Sequence, residues 1–265
     1  MDWKQEVLSL AQAGPGRASL LLADAETGAP ILEWEADRRV VSASTIKVAI
    51  LLCALSEVQH GCARLSEEIF VPEADVLEDS EVFDGGAQAL PLDELLRWMI
   101  ITSDNTATNA LIRRFSMDRI NAFCRERGWT DTRVERLMLD YAAVAAGKNN
   151  YTSARDQCAM FRGIYRQALL TPELCTYALK VLLDQRCKDD FFRYIPFPVR
   201  AAHKTGSLAD VDHDSGLFFL PGCPPFYLGV FVTDLPREGA GRRTIGRIAR
   251  RIYDEFHEPL ENESK

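Results

Sequence analysis

Apolar residues recur at helical spacing at the start of the chain, and two short apolar runs follow. Residues 2–13 predict an amphipathic helix that ends before Gly14-Pro15-Gly16. Residues 17–25 and 31–34 are strongly apolar, and the turn residues 26–30 between them favour a β-hairpin. The chain is therefore predicted to begin with a helix followed by two strands.

Long helical patterns dominate the middle of the chain, from residue 42 to about residue 196. The predicted helices cover residues 44–58, 92–101, 105–115, 117–127, 153–168 and 172–185. Thr152 or Ser153 could cap the fifth of these helices, and Thr171 followed by Pro172 is a favourable start for the sixth.

Strand patterns return near the C-terminus, over residues 199–207, 215–220 and 226–233, with a turn at 221–225. A last amphipathic helix is predicted over residues 241–256. Its arginines are expected on the solvated face of the helix: Arg242, Arg243, Arg247, Arg250 and Arg251.

The strands at the two ends of the chain must pair, because an isolated hairpin is not stable in water. We therefore predict an α+β fold with one five-stranded antiparallel sheet, flanked by the terminal helices and interrupted by an inserted all-α part. Residues 1–41 and 197–265 would form the sheet part of a single domain, and residues 42–196 its helical part. The active cleft would lie between the two parts.

Composition excludes several classes of protein. A chain of 265 residues with 47% hydrophobic residues can bury a core, which argues against a wholly disordered protein. The net charge of −8 disfavours nucleic acid as a partner. The longest apolar run, residues 48–55, is shorter than the roughly 20 residues of a membrane helix, so no membrane partner is expected.

The N-terminus and the cysteines bear on the cellular compartment. The N-terminus lacks the basic start and apolar core of a signal peptide, so we expect a cytoplasmic protein unless a leader has been removed. The 7 cysteines are widely spaced without a CxxC motif, which favours reduced thiols.

Three short motifs carry the candidate chemistry. Ser44-Thr45-Ile46-Lys47 begins the first long helix, Ser103-Asp104-Asn105 lies in a loop between two helices, and Lys204-Thr205-Gly206-Ser207 ends a strand. Residues three apart on a helix share a face, so the amine of Lys47 can reach the oxygen of Ser44. A lysine with a lowered pKa can take the serine proton, and amides at the helix N-terminus can stabilise an oxyanion.

The second and third motifs supply further polar groups. Ser103 offers a second hydroxyl that can relay a proton, and Asn105 offers a donor and an acceptor for a substrate amide. Lys204 and Thr205 would face a substrate carboxylate, and the N–H of Ser207 could be a second oxyanion donor. Taken singly, the motifs also fit ordinary roles as a helix cap, a capped loop and a charged edge strand.

Taken together and in this order, the motifs resemble the signature of class A β-lactamases and penicillin-binding proteins. The resemblance extends over essentially the whole chain, because the predicted strand pair, helical insertion, three strands and final helix follow the order of that superfamily. It implies a serine hydrolase of β-lactamase type that acts as a monomer, without a cofactor, on a small molecule.

The resemblance also implies a role for each motif residue. Ser44 would be the acylated nucleophile, Lys47 its activating partner, and Ser103 the group that passes the proton to the leaving nitrogen. Asn105 would hold both Lys47 and the side-chain amide of the substrate. The substrate carboxylate would be held by Lys204, Thr205 and Ser207.

One departure from the family concerns release of the acyl group. Class A β-lactamases carry an Ω-loop glutamate that activates the hydrolytic water, whereas the corresponding residues 136–151 contain no Glu. Asp140 is the nearest carboxylate and is a candidate base, the alternative being a loop salt bridge with Arg155. The missing Glu leaves open a D-alanyl peptidase or esterase, and a penicillin-binding sensor that is acylated without turnover.

A cluster of carboxylates and a histidine also occurs between the C-terminal strand patterns. Asp210, Asp212, His213 and Asp214 could coordinate a divalent ion, but they join two predicted strands, where such residues commonly form turns. We therefore predict a turn and no metal site.

Overall fold

The computed structural model describes residues 2–196 and 199–257. The helices are α1 (Trp3–Gln12), α2 (Lys47–Gln59), α3 (Leu92–Ile101), α4 (Asn105–Phe115), α5 (Met117–Glu126), α6 (Tyr141–Ala145), α7 (Ala154–Tyr165), α8 (Pro172–Leu183) and α9 (Arg242–Phe256). Short 3₁₀ helices cover Ala43–Ile46, Glu73–Asp75 and Phe191–Arg193. The strands are β1 (Arg17–Asp24), β2 (Pro30–Trp34), β3 (Val40–Val41), β4 (Glu68–Val71), β5 (Gln88–Pro91), β6 (Tyr151–Thr152), β7 (Arg200–Leu208), β8 (Val211–Phe219) and β9 (Phe226–Thr233).

Strands from both ends of the chain form one antiparallel sheet. Within the described residues this sheet has five strands in the order β2-β1-β9-β8-β7. The first strand pairs with the last along its whole length, from Arg17 opposite Thr233 to Asp24 opposite Phe226. The predicted α+β fold with a five-stranded antiparallel sheet is confirmed.

The sheet packs against helices on both of its faces. Along β1, Leu21 and Ala23 point into the core of the helical block, whereas Leu20 and Leu22 point into a second core formed with α1 and α9. Successive side chains of a strand alternate between the faces, so a strand covered on both sides is apolar throughout. This explains the continuous apolar run in the sequence of β1.

Helix α2 is the centre of the helical block. All residues from Lys47 to Ser56 are buried, and a helix that is apolar around its whole circumference is typical of a protein interior. The predicted helix over 44–58 begins later than expected, because a 3₁₀ turn over Ala43–Ile46 precedes the α-helix. None of the described helices is both long and apolar enough to cross a bilayer.

The turn predicted at residues 210–214 is wrong from residue 211 onwards, and only Asp210 of this segment lies in the turn between β7 and β8. Strand β8 begins at Val211, and its polar residues Asp212, His213 and Asp214 are buried within the sheet. The pattern was misleading because these side chains find partners inside the protein: the Nε2 atom of His213, for example, lies 2.8 Å from the carbonyl oxygen of Val41.

The short strand pairs β3–β6 and β4–β5 had no clear sequence signal. The division into a sheet part and an inserted helical part stays a prediction, and its boundary at residue 197 lies outside the described residues.

A loop that joins α5 to β6 is fixed by buried asparagines; we call residues 133–150 the anchored loop. The amide of Asn121 donates to the carbonyl of Val134 and accepts its N–H, both at 2.8 Å. Asn109 on α4 makes the same pair of contacts with Met138, at 3.2 and 2.7 Å. These contacts give backbone groups outside regular structure the partners that buried polar groups require.

Asn109→Ala should lower the free energy of unfolding by about 2–4 kcal/mol, because it leaves the buried N–H and C=O of Met138 without partners. Urea unfolding would measure the change. Asn149→Ala is the matched control on the same loop, since Asn149 is only half-buried, and we expect a smaller loss. Equal losses for the two variants would contradict a special role for the Asn109 contact.

Candidate active site

Ser44 lies where the helical block meets the sheet. It sits in the 3₁₀ turn before α2, is half-buried, and lines a cleft of about 570 Å³. The preceding residue, Ala43, has a φ of 44°, and Ser103 across the cleft has a φ of 62°. Non-glycine residues in this left-handed region store strain, which is commonly found at functional sites.

The amine of Lys47 connects the first two motifs. Its Nζ atom donates to the carbonyl oxygen of Ser103 at 2.6 Å, to the hydroxyl of Ser103 at 3.0 Å and to Oδ1 of Asn105 at 2.8 Å. No hydrogen bond joins Lys47 to Ser44 among the described residues. The three-residue spacing therefore places Lys47 one turn from Ser44, but contacts from another loop orient its amine.

Burial sets the protonation of Lys47. The side chain is fully buried, and desolvation lowers its pKa well below the ordinary value, with a further lowering by the positive charge of Lys204. The carboxylates of Asp104 and Asp79 oppose this effect. A lowered pKa increases the fraction of neutral amine at a given pH, and a neutral amine can accept a proton.

The third motif forms the opposite wall. Lys204 is fully buried, donates to the carbonyl of Thr205 at 2.9 Å, and has its pKa lowered to about 8 by desolvation. A Cβ atom added to Gly206 would lie 3.0 Å from the backbone nitrogen of Ser44, so the glycine allows β7 to lie against the nucleophile turn. The Ser207 hydroxyl donates to the buried Asp212 at 3.1 Å.

The structure therefore brings together the residues of all three motifs. Residues from each motif line the same cleft: Ser44, Ser103, Asn105, Thr205, Gly206 and Ser207. The fully buried Lys47 and Lys204 lie behind this lining and make the contacts described above.

Asp140 occupies a different setting. Its Oδ1 atom accepts the N–H of Ala143 at 2.9 Å and caps the short helix α6, and Asp140 does not line the cleft. The alternative, a salt bridge between Asp140 and Arg155, is wrong, because Arg155 pairs with Glu33 in β2 and with Asp37 between β2 and β3. A role for Asp140 as a base stays a prediction.

The prediction that Arg242 lies on a solvated helix face is wrong. It is half-buried at the first turn of α9, lines the cleft, and places its Nε atom 3.8 Å from carboxylates of Asp190 and Asp212. Burial, with Asp214 nearby, raises the pKa of Asp190.

The sequence reading also missed residues from two irregular segments. Asp79 and the segment containing Cys187, Lys188 and Asp189 line the cleft, although neither segment has a motif. Among the residues that the structure describes, no group of three or more histidines, cysteines or carboxylates is placed to hold a metal ion.

Comparison with known protein families matches residues 2–256 to a family described as the Beta-lactamase enzyme family. A beta-lactamase from Sphaerobacter thermophilus DSM 20745 is 27% identical with a TM-score of 0.85, over 97% of this chain and 98% of that one. A beta-lactamase from Chitinophaga pinensis DSM 2588 is 21% identical with a TM-score of 0.88, over 96% and 99%. A PBP-A mutant, solved as an acyl-enzyme complex with penicillin-G, is 23% identical with a TM-score of 0.86, over 96% of each chain.

Two lysine side chains should titrate below the ordinary lysine range, with Lys204 near pH 8 and Lys47 also shifted downward. NMR titration of protein carrying ¹³Cε-labelled lysine would measure both, and Lys47→Arg and Lys204→Arg would assign the two signals. If every lysine signal moved only near pH 10.5, the desolvation argument would be contradicted.

Proposed function

The chain belongs to the beta-lactamase enzyme family, and from this premise we propose that it opens a β-lactam or related amide by acylating Ser44. The observation that carries the proposal is the contact of the buried Lys47 amine with Ser103 and Asn105, beside a cleft that Ser44 lines. A buried amine with a lowered pKa is the type of base that a serine hydroxyl needs.

In the proposed acylation, the neutral amine of Lys47 takes the hydroxyl proton of Ser44. The serine oxygen then forms a bond to the carbonyl carbon of the substrate, and the carbon–nitrogen bond breaks. The departing nitrogen receives the proton through the hydroxyl of Ser103, which lies 3.0 Å from Lys47 Nζ. Atoms and charge balance without a cofactor.

The third motif would bind the carboxylate of the substrate and contribute to the oxyanion site. Lys204, Thr205 and Ser207 are proposed to hold the substrate carboxylate, and Arg242 adds a second cation at this end of the cleft. The close approach of Gly206 to the Ser44 nitrogen supports an oxyanion site formed by the N–H groups of Ser44 and Ser207.

Release of the acyl group requires a base that activates a water molecule. The anchored loop presents the apolar Met138 at the backbone position tied to Asn109, one helical turn beyond Asn105 on α4. Met138 is buried in the helical core, and Asp140 caps a helix. This observation favours a second candidate function, a penicillin-binding module that stays acylated for long periods.

Wild-type protein exposed to penicillin-G should gain the mass of one penicilloyl group, and Ser44→Ala should gain none. Intact mass spectrometry over time measures both the adduct and its loss. Ser9→Ala, an exposed serine on α1, is the control and should be labelled like wild type. Rapid loss of the adduct favours the hydrolase, a persistent adduct favours the binding module, and no wild-type adduct contradicts both.

The choice of substrate distinguishes a D-alanyl peptidase or esterase from a β-lactam hydrolase. A panel of D-alanyl peptides and esters, assayed with wild type and Ser44→Ala, should show weaker turnover than a chromogenic cephalosporin. Faster turnover of the peptides or esters would favour that alternative.

Met138→Glu should shorten the lifetime of the acyl adduct at least about tenfold, because general-base catalysis contributes roughly 10²–10⁴-fold. The same mass-spectrometric time course measures this change. Leu137→Glu is the matched control, since Asn109 fixes the backbone of residue 138 and not that of residue 137. If Asp140→Asn alone lengthened the lifetime and Met138→Glu had no effect, Asp140 would be the base.

A further inference from the structure

Asp79 contacts the asparagine of the second motif. It belongs to the irregular segment between the 3₁₀ helix Glu73–Asp75 and β5, and its exposed side chain lines the cleft with Ser44 and Ser103. Its Oδ2 atom accepts a hydrogen bond of 2.6 Å from Nδ2 of Asn105. The Asn105 amide is thus held at both ends, by the Lys47 amine at its oxygen and by the Asp79 carboxylate at its nitrogen.

The carboxylate of Asp79 retains capacity for another partner. A carboxylate has about four acceptor positions, and the hydrogen bond from Asn105 uses one of them. Across the described part of the chain, no lysine or arginine forms an ion pair with Asp79. An exposed carboxylate in this state can accept a donor from a ligand that enters the cleft.

Two other charged side chains of the cleft contact residues other than Asp79 and Asn105. Arg186 stacks over the ring of Trp98 at 5.5 Å, and Asp190 lies beside Arg242. Lys188 and Asp189 also line the cleft and lie between Arg186 and Asp190 in the sequence. Asp79 is therefore an exposed carboxylate without an ion-pair partner among the described residues, whereas Arg242 at the third motif lies beside two carboxylates.

We infer that Asp79 selects substrates that carry an ammonium group on the substituent facing Asn105, in addition to the carboxylate that the third motif binds. This inference rests on the proposed function and names its substrate class, which is zwitterionic. A neutral substituent brings no positive charge to the exposed carboxylate of Asp79. An ammonium group can instead donate to the free acceptor positions of Asp79 and leave that contact intact.

Ampicillin and benzylpenicillin are suitable probes because they differ only by an α-amino group. The second-order rate constant for acylation of Ser44 would be measured with each, by mass spectrometry, on wild type, Asp79→Asn and Glu78→Gln. We expect the ampicillin-to-benzylpenicillin ratio to fall about fivefold in Asp79→Asn, the upper range for an exposed ion pair. Glu78→Gln, which removes the adjacent exposed carboxylate, should keep the wild-type ratio.

The outcomes separate this inference from the proposed function. If wild type is acylated by both penicillins and the ratio is the same in Asp79→Asn, the selectivity inference is overturned and the proposed function stands. If neither penicillin acylates wild type, the proposed function fails and the inference fails with it.

Salt provides a test that needs no variant, in case Asp79→Asn does not fold. The ampicillin-to-benzylpenicillin ratio of wild type should fall severalfold when NaCl is raised from about 0.05 to about 1 M, because salt screens exposed charges. A ratio that is independent of salt would overturn the inference.

Discussion

A single buried amine sets the requirements for the rest of this structure. Removing an ammonium group from water costs several kcal/mol, so Lys47 is tolerated in the core only with partners and with a depressed pKa. Its hydrogen-bond partners come from Ser103 and Asn105, which are distant in the sequence. The helical block must therefore place α2 and the loop before α4 within hydrogen-bonding distance. The same desolvation lowers the pKa of the amine, so it releases its proton more readily and can then act as a base.

Several local features maintain this arrangement. The backbone at Ala43 and Ser103 is strained, and the hydrogen bond from Lys47 to the carbonyl of Ser103 helps to hold the second of these residues. Gly206 lets β7 approach the serine turn to a distance that a side chain would prevent. Asn109 on α4 holds the anchored loop, and α4 begins at Asn105 of the second motif. One helix therefore positions both the motif and the loop. Substitutions at these positions would act on the site through geometry, without touching a substrate.

The sequence was sufficient for the overall fold because its signals were strong and local. The pattern bounds α3 and α4 correctly, since a clear apolar face coincides with residues that start and stop helices. It failed for β8, where Asp212, His213 and Asp214 are buried in a sheet that is covered on both faces. Asp79 and Arg242 could not be assigned to the cleft, because loop and helix-end residues become neighbours only through the tertiary fold. The motifs located the site, and the contacts that tune it depend on packing.

The pairing of β1 with β9 has a consequence for biosynthesis. Arg17 lies opposite Thr233, so the free edge of the β1–β2 hairpin has no strand partner until residues 226–233 have left the ribosome. Contacts of such high sequence separation slow folding, since a long loop must close before they form. During translation the hairpin exposes an unpaired, apolar strand, which is a template for aggregation. The helices α2 to α8 precede β9 in the chain, so they leave the ribosome before the sheet can close.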